Sequence, residues 1–164
     1  MNIFNFSYLF LKKRDNISAM EKSTVNQNVL KNCYKNAKMA ILSIEDILPK
    51  CDGALKEELI SQHEGYNNHL TEIALTAVNV GIDLPDVSGI SKGMLNASIN
   101  MKTMIDDSHS HLAEMLIKGS VMGYTTLFKD LSEYGALLYD EVYKRVDELK
   151  RFEEACENNL KKFL

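Results

Sequence analysis

The sequence predicts an all-α protein, a four-helix bundle, and two observations carry that prediction. Apolar residues recur at three- and four-residue steps along four stretches of the chain, which is the spacing of one helix face. The first and second stretches lie close together in the chain, as do the third and fourth, whereas residues 82–107 separate the second from the third. We therefore expect two antiparallel hairpins joined by a long crossover containing a short helix.

The first predicted hairpin contains two helices. The first helix lies within residues 22–48, and Pro49 and Gly53 interrupt the chain after it. The second helix ends at Gly81, a residue suited to the left-handed conformation past a helix end. The two helices can then pack antiparallel, with a tight turn near Cys51. Their apolar stripes consist of Val29, Leu30, Cys33, Tyr34, Ala37, Ala40, Ile41, Ile44 and Leu48 in the first helix and Leu55, Leu59, Tyr66, Leu70, Ile73, Ala77 and Val80 in the second.

The segment 82–107 has a different pattern. Pro85, Gly89 and Gly93 interrupt its beginning, and a short helical pattern follows over residues 94–105. A connection this long is uncommon in a compact domain unless it must cross the length of the structure. We expect a crossover, which makes the second and third helices run parallel.

The second predicted hairpin begins after this crossover. Asp107 or Ser108 is a suitable cap for the third helix, and Gly135 marks its end. The fourth helix follows at once. Their stripes consist of Leu112, Met115, Leu116, Gly119, Met122, Gly123, Leu127 and Leu131 in the third helix and Leu138, Val142, Val146, Leu149, Phe152, Cys156, Leu160 and Phe163 in the fourth.

Residues 1–19 differ from residues 20–164, which we expect to form the bundle domain. The apolar run at 3–11 is shorter than the roughly 20 residues that span a bilayer, and the basic residues 12–14 follow it instead of preceding it as in a secretory signal. We expect a frayed or disordered extension upstream of a natural start at Met20. A weak tether at a membrane surface is the alternative, and stable membrane insertion is not expected.

Charge and cysteine content exclude other classes. The formal net charge is −4 at pH 7, and without a basic stripe the chain has no surface for neutralising phosphates, so we expect no nucleic-acid partner. The three cysteines are odd in number and widely spaced. They predict free thiols in a reducing compartment, and hence a cytoplasmic protein.

Three segments resemble a group of small uncharacterised bacterial ferritin-like proteins. They are Lys35-Asn-Ala-Lys-Met39, Ser43-Ile-Glu-Asp-Ile-Leu-Pro49 and Ser110-His-Leu-Ala-Glu-Met-Leu-Ile-Lys-Gly-Ser-Val-Met-Gly123. The resemblance covers about residues 21–164 and implies a ferritin-like four-helix bundle. The group has no activity to carry over. The wider superfamily is associated with carboxylate-bridged di-iron sites, which implies iron or another divalent metal as the candidate cofactor and iron handling or oxidant defence as the candidate role.

The metal-ligand pattern of that superfamily is incomplete in this chain. It requires Glu-x-x-His on two helices, because residues three apart share a helix face. No Glu here is followed by His three positions later; the reversed spacing occurs at His69-Leu-Thr-Glu72 and His111-Leu-Ala-Glu114. Glu72 and Glu114 fall away from the apolar stripes. A standard di-iron site is therefore not expected.

Glu153 is the polar residue most clearly directed into the predicted core, and Gln62 also faces inward. Counting outward from the two predicted turns places Glu153 level with Gly119, with residues 62–66 and with Lys38. A buried acid must find a partner or lose its charge. One hypothesis is a carboxyl hydrogen-bonded by Gln62, His63, Tyr66 or a buried water. The other is a metal ligand acting with His63, for which Gly119 and Gly123 leave room.

Two further clusters follow from the same placement. A second candidate metal cluster lies near the Pro49 end, where four residues reach a similar level: Glu45, Glu58 and His111, with Glu157. Carboxylates at the edges of apolar stripes are, however, usually solvated. Asp130 comes within about one turn of Arg145, which predicts a structural ion pair between the third and fourth helices.

Two functional hypotheses remain from the sequence. In the first, the protein is a metal-binding ferritin-like bundle that uses Glu153 and nearby His or Glu ligands. In the second, it is a metal-free scaffold that acts through homo-oligomerisation or partner docking.

Overall fold

The computed structural model describes residues 3–85 and 108–164, with side chains from Ser18 onward within those ranges. Four α-helices make up nearly all of this part of the chain, and it contains no β-strand. They are α1 (Ile3–Ile47), α2 (Gly53–Val80), α3 (His109–Tyr134) and α4 (Asp140–Leu160). The all-α prediction is confirmed for these residues.

The helices pack as two hairpins laid side by side. α1 packs on α2 and α3 packs on α4, while α2 also contacts α4 and α1 contacts α3. The order around the bundle is therefore α1, α2, α4, α3. This arrangement places α2 and α3 at opposite corners.

Side-chain contacts at the ends of the bundle establish the direction of each helix. The Nε2 atom of His109, the first residue of α3, lies 3.2 Å from Oδ1 of Asp52, the residue directly before α2. Both helices therefore begin at the same end and run parallel, as predicted. The end of α2 and the start of α3 therefore lie at opposite ends of the bundle. The short helix predicted within 94–105 lies outside the described residues.

The local signals predicted for three helix ends are confirmed. Pro49 lies in a 3-10 turn, Leu48–Lys50, that ends the first helix. Gly81 adopts the left-handed conformation, with φ of 70°, and its N–H bonds the last turn of α2. Ser108 caps α3 by accepting a hydrogen bond from the backbone N–H of His111.

The interior is formed by most residues of the predicted apolar stripes of all four helices, but Gly119 and Met122 of the predicted α3 stripe are exposed, because they lie at its edge beside solvent. Cys33, Cys51 and Cys156 are buried and free, which confirms the expected thiols. The side chains of Glu153 and Gln62 are also buried in this interior, as the helical spacing predicts. The largest fully buried side chains are Leu30, Ile41, Ile44, Ile47, Leu55, Leu59, Ile73, Leu112, Leu127, Leu149, Leu160 and Glu153.

Asn26 ties α1 to the turn between α3 and α4. Its side-chain oxygen accepts a hydrogen bond from the backbone N–H of Tyr139 at 2.6 Å, and its amide donates to the carbonyl of Leu137 at 2.9 Å. The side chain is fully buried. It thus satisfies two backbone groups of a turn that lies over a hundred residues away in sequence.

Asp130 and Arg145 do not form the predicted ion pair. Arg145 instead contacts Glu72 at 3.0 Å and Glu148 at 2.7 Å, and its Nε donates to Thr76 of α2. Counting along the hairpin placed the two residues at a similar level, but it did not fix the faces they occupy. Arg145 is directed toward α2, whereas Asp130 interacts with Asn32 of α1.

α1 is longer than the other helices, because its backbone is helical from Ile3. The division of the chain into an extension, 1–19, and a bundle domain stays a prediction. None of the helices in the described ranges combines the length and the apolar character needed to cross a membrane.

Candidate functional site

A cleft of about 420 Å³ opens between α1 and α3, and we refer to it as the α1/α3 cleft. α1 and α3 form its walls, while Gln62 and Tyr66 of α2 and Glu153 of α4 form its floor. Most of the surface that the walls present to the cleft is apolar. The walls consist of Asn32, Lys35, Asn36, Met39, Ala40, Ser43 and Ile44 from α1 and Met115, Leu116, Gly119, Ser120, Met122, Gly123 and Thr126 from α3.

Two glycines shape the α3 wall of the cleft in different ways. A β-carbon at position 119 would meet nothing within 4 Å, so Gly119 borders open space. A β-carbon at position 123 would collide with Oε2 of Glu153 and lie 2.9 Å from Oδ1 of Asn36. Gly123 therefore lets α3 approach the carboxyl group closely.

Glu153 is the central polar group of the site. Only 1% of the residue is exposed, and its Oε2 atom accepts a hydrogen bond from Nδ2 of Asn36 at 3.3 Å. Burial raises the pKa of this carboxyl from 4.5 to about 8, and the Asn36 amide opposes part of that rise. Desolvation dominates, so the carboxyl is mostly protonated at neutral pH.

The groups around Glu153 are buried and weakly acidic. Burial raises the pKa of Tyr66, of Cys33 and of Cys156, the last to about 12, and the negative charge on Glu153 raises each of them further. The Tyr66 hydroxyl interacts with Ser120 and with the Cys156 thiol. No reactive thiolate is expected here, because thiolates form where a positive environment lowers the pKa.

The side-chain amide of Gln62 donates its hydrogen bonds to groups other than Glu153. Its amide donates to Oε1 of Glu58 at 2.8 Å and to the carbonyl of Cys156 at 3.4 Å. The ring of Phe152 packs edge-on against the ring of Tyr66, with the two ring centroids 4.9 Å apart. The floor of the cleft is thus positioned by contacts between α2 and α4.

The structure pairs His63 with Glu45 and not with Glu153. The His63 Nε2 atom lies 3.1 Å from Oε1 of Glu45, and both side chains are partly exposed. His63 lies at the edge of the α2 stripe, and that edge is directed toward α1 and solvent. The predicted set of Glu153 with His63 is therefore not brought together.

The second predicted cluster is also dispersed. Glu58 bonds Gln62, His111 lies 3.8 Å from Glu114, and Glu157 pairs with Lys161 at 2.7 Å. Within residues whose side chains are described, no three His, Cys, Asp or Glu groups converge as metal ligands. Of the six candidate ligands, which are Glu45, Glu58, His63, His111, Glu153 and Glu157, only Glu45 and His63 meet.

Sequence reasoning missed the direct partner of Glu153. The hypothesis of a hydrogen-bonded carboxyl named Gln62, His63, Tyr66 or water, whereas Asn36 donates the bond. The placement of Glu153 opposite Gly119 was also one helical turn away from the observed neighbour, Gly123. A signal was available, since Asn36 follows Cys33 by three residues and borders the stripe of α1.

Comparison of this chain with protein-family models, with curated proteins and with solved structures found no match.

Proposed function

We propose that this protein is a ferritin-like four-helix bundle that binds a small molecule in the α1/α3 cleft. One observation carries the proposal: the buried carboxyl group of Glu153 forms the floor of a cleft whose walls are mostly apolar. Small-molecule sites typically combine apolar walls with a few polar groups that fix the orientation of the ligand.

The energetics of the cleft favour a functional origin. An open cleft between two helices forgoes packing contacts, and a buried carboxyl costs stability unless it is paired. An apolar side chain in place of Glu153 would avoid that second cost. Features that reduce stability without an evident structural gain are common at functional sites.

The ferritin-like part of the proposal is supported by the parallel direction of α2 and α3. A bundle of four helices joined only by short turns would have these consecutive helices antiparallel. A ferritin-like bundle has one long connection between two hairpins. The same connectivity was implied by the sequence resemblance over residues 21–164.

Blocking the cleft tests the proposed binding. Gly119→Phe places a large side chain in open space that borders the cleft, and Thr125→Phe on the exposed side of α3 is the matched control. Saturation-transfer NMR with hexanol, hexanamide and hexylamine measures binding. We expect at least one compound to bind the parent protein and the control, and none to bind Gly119→Phe. Binding by none of the proteins, or equally by all three, would overturn the proposal.

Metal binding is the second candidate function, and the meeting of His63 with Glu45 at 3.1 Å favours it. An imidazole nitrogen and a carboxylate oxygen are ordinary ligands for zinc or iron. Elemental analysis after purification with added iron, manganese and zinc tests this function, with His63→Ala as the comparison. Metal well below one equivalent in the parent protein, with melting unchanged by chelator, would exclude it.

Association is the remaining candidate, and it is favoured by exposed apolar side chains on α2. Leu75 is 55% exposed and Val78 is 79% exposed, and residues three apart lie on one helix face. If this face joins two copies of the chain, light scattering should detect a dimer that Leu75→Lys dissociates. A monomer at high protein concentration would exclude self-association.

A further inference from the structure

We propose that the ligand of the α1/α3 cleft is an organic cation, an alkylamine whose ammonium group lies against the carboxyl of Glu153 at the floor of the cleft. This inference rests on the proposed function and names the class of molecule that the cleft takes. It follows from the hydrogen-bonding capacity of the acid, from the charges around it and from the shape of the cleft.

Glu153 has more acceptor capacity than the protein fills. An ionised carboxylate has about four lone-pair positions, and Asn36 supplies one long hydrogen bond. The other amide on the floor is engaged elsewhere, since Gln62 donates to Glu58 and to the carbonyl of Cys156. The complementary group is therefore a donor of several N–H bonds, such as an ammonium.

When Glu153 is ionised, above its raised pKa of about 8, no cation of the described residues balances its charge. No Lys or Arg side chain in the described ranges forms an ion pair with it. Lys35 lines the cleft, but it is exposed. A buried carboxylate without a counter-charge is costly, and a ligand cation would supply that counter-charge.

A second buried acid adds to the negative potential. Asp130 lies one helical turn beyond Thr126 of the cleft wall, and its Oδ2 atom is buried without a hydrogen-bond partner among the described residues. Asp130 and Glu153 both act on Cys33, raising the pKa of its thiol. Where these two acids are ionised, this part of the interior therefore favours a positive ligand over a negative one.

The shape of the cleft suits an amine with an apolar stem. Gly119 borders open space on the α3 wall, and Glu153 lines the same cleft, so a small charged group can enter beside the carboxyl. Met39, Met115 and Leu116 line the approach to it. Methionine side chains are flexible and polarisable, so they adapt to an alkyl chain.

Binding of hexylamine and of hexanol, measured by calorimetry at about pH 8.5, tests the ligand class. The two molecules share the same stem and differ in the charged head, and hexylamine remains protonated at this pH. We expect hexylamine to bind the parent protein about ten-fold or more tightly than hexanol, because a charge-assisted bond is stronger than a neutral one. Glu153→Gln should remove this preference, whereas Glu141→Gln, an exposed acid on the same helix, should leave it intact.

The outcomes separate this inference from the proposed function. Equal affinities for hexylamine and hexanol, or a preference for hexylamine that Glu153→Gln retains, would overturn the cation assignment while leaving the cleft as a binding site. Failure of both compounds, and of hexanamide as well, to bind the parent protein would overturn the proposed function itself. Heat denaturation of Glu153→Gln confirms that the variant is folded before its affinities are compared.

Discussion

Glu153 of α4 occupies the space beside Gly123 of α3 that a β-carbon at position 123 would take. The two residues are thirty positions apart in sequence, and each determines what the other position tolerates. The glycine lets α3 lie close to the carboxyl, and the carboxyl fills the volume that the missing side chain leaves. The floor of the α1/α3 cleft depends on this relationship.

Substituting the two cleft glycines by alanine should have opposite effects on stability. Gly119→Ala should stabilise the protein by about 0.5 to 1 kcal/mol, because alanine favours the helix and meets open space. Gly123→Ala should destabilise it by about 1 to 2 kcal/mol, because the new β-carbon displaces Glu153 and Asn36. Urea denaturation of the two variants measures both changes. Effects of the same sign would contradict the close contact at Gly123.

The stability of the protein should fall as pH rises from about 4.5 to about 8, the interval between the ordinary pKa of Glu153 and its raised value. In this interval the folded protein holds a proton that the unfolded chain releases, so the contribution of Glu153 is full below pH 4.5 and is lost on passing the folded pKa. The slope should reach at most about 1.4 kcal/mol per pH unit.

Glu153→Gln isolates this effect, because it keeps the shape of the side chain and removes the titrating group. We expect the free energy of unfolding of the variant, minus that of the parent, to increase from about pH 5 to about pH 8.5. Glu141→Gln should show no such trend, since residue 141 is exposed. A constant difference between Glu153→Gln and the parent across this range would show that Glu153 has an ordinary pKa.

Removing the Asn26 side chain should weaken the end of the bundle where α3 turns into α4. Asn26→Ala leaves the N–H of Tyr139 and the carbonyl of Leu137 without their bonds, which should cost about 2 to 4 kcal/mol. Asn28→Ala, at an exposed position two residues later, should change stability by about 0.5 kcal/mol or less. Equal effects of the two substitutions in urea denaturation would refute the role of Asn26.

The three thiols should resist modification in the folded protein. All are buried, and burial raises their pKa values, that of Cys156 to about 12, so little reactive thiolate forms near neutral pH. We expect reaction with an aromatic disulfide reagent to be about a hundred-fold or more slower in buffer than in concentrated urea. Rapid reaction of one thiol in buffer would show that its helix opens locally.

Helical periodicity predicted the residues that face the interior, because each helix buries one stripe regardless of its neighbours. Glu153 and Gln62 were identified as inward in this way, and the structure confirms both. The partners of these residues were not predictable to the same extent. A partner depends on the rotation and the axial offset of two helices, and an error of one turn replaces Gly123 by Gly119.

Arg145 illustrates the same limit on sequence-based prediction. Its position along α4 was estimated well enough to bring it near the level of Asp130, yet the side chain contacts Glu72 and Thr76 of α2. Long charged side chains reach in several directions, and the choice is made by the helix that packs beside them.

The sequence by itself determined the helical class, the helix ends at Pro49 and Gly81, and the burial of an acid at position 153, because these depend on local conformation and on the period of one helix. The tertiary structure decided that Asn36 holds this acid, that His63 turns to Glu45 instead, and that a cleft lies between α1 and α3. Those features arise from the relative placement of separate helices, which is set by the packing of many side chains at once.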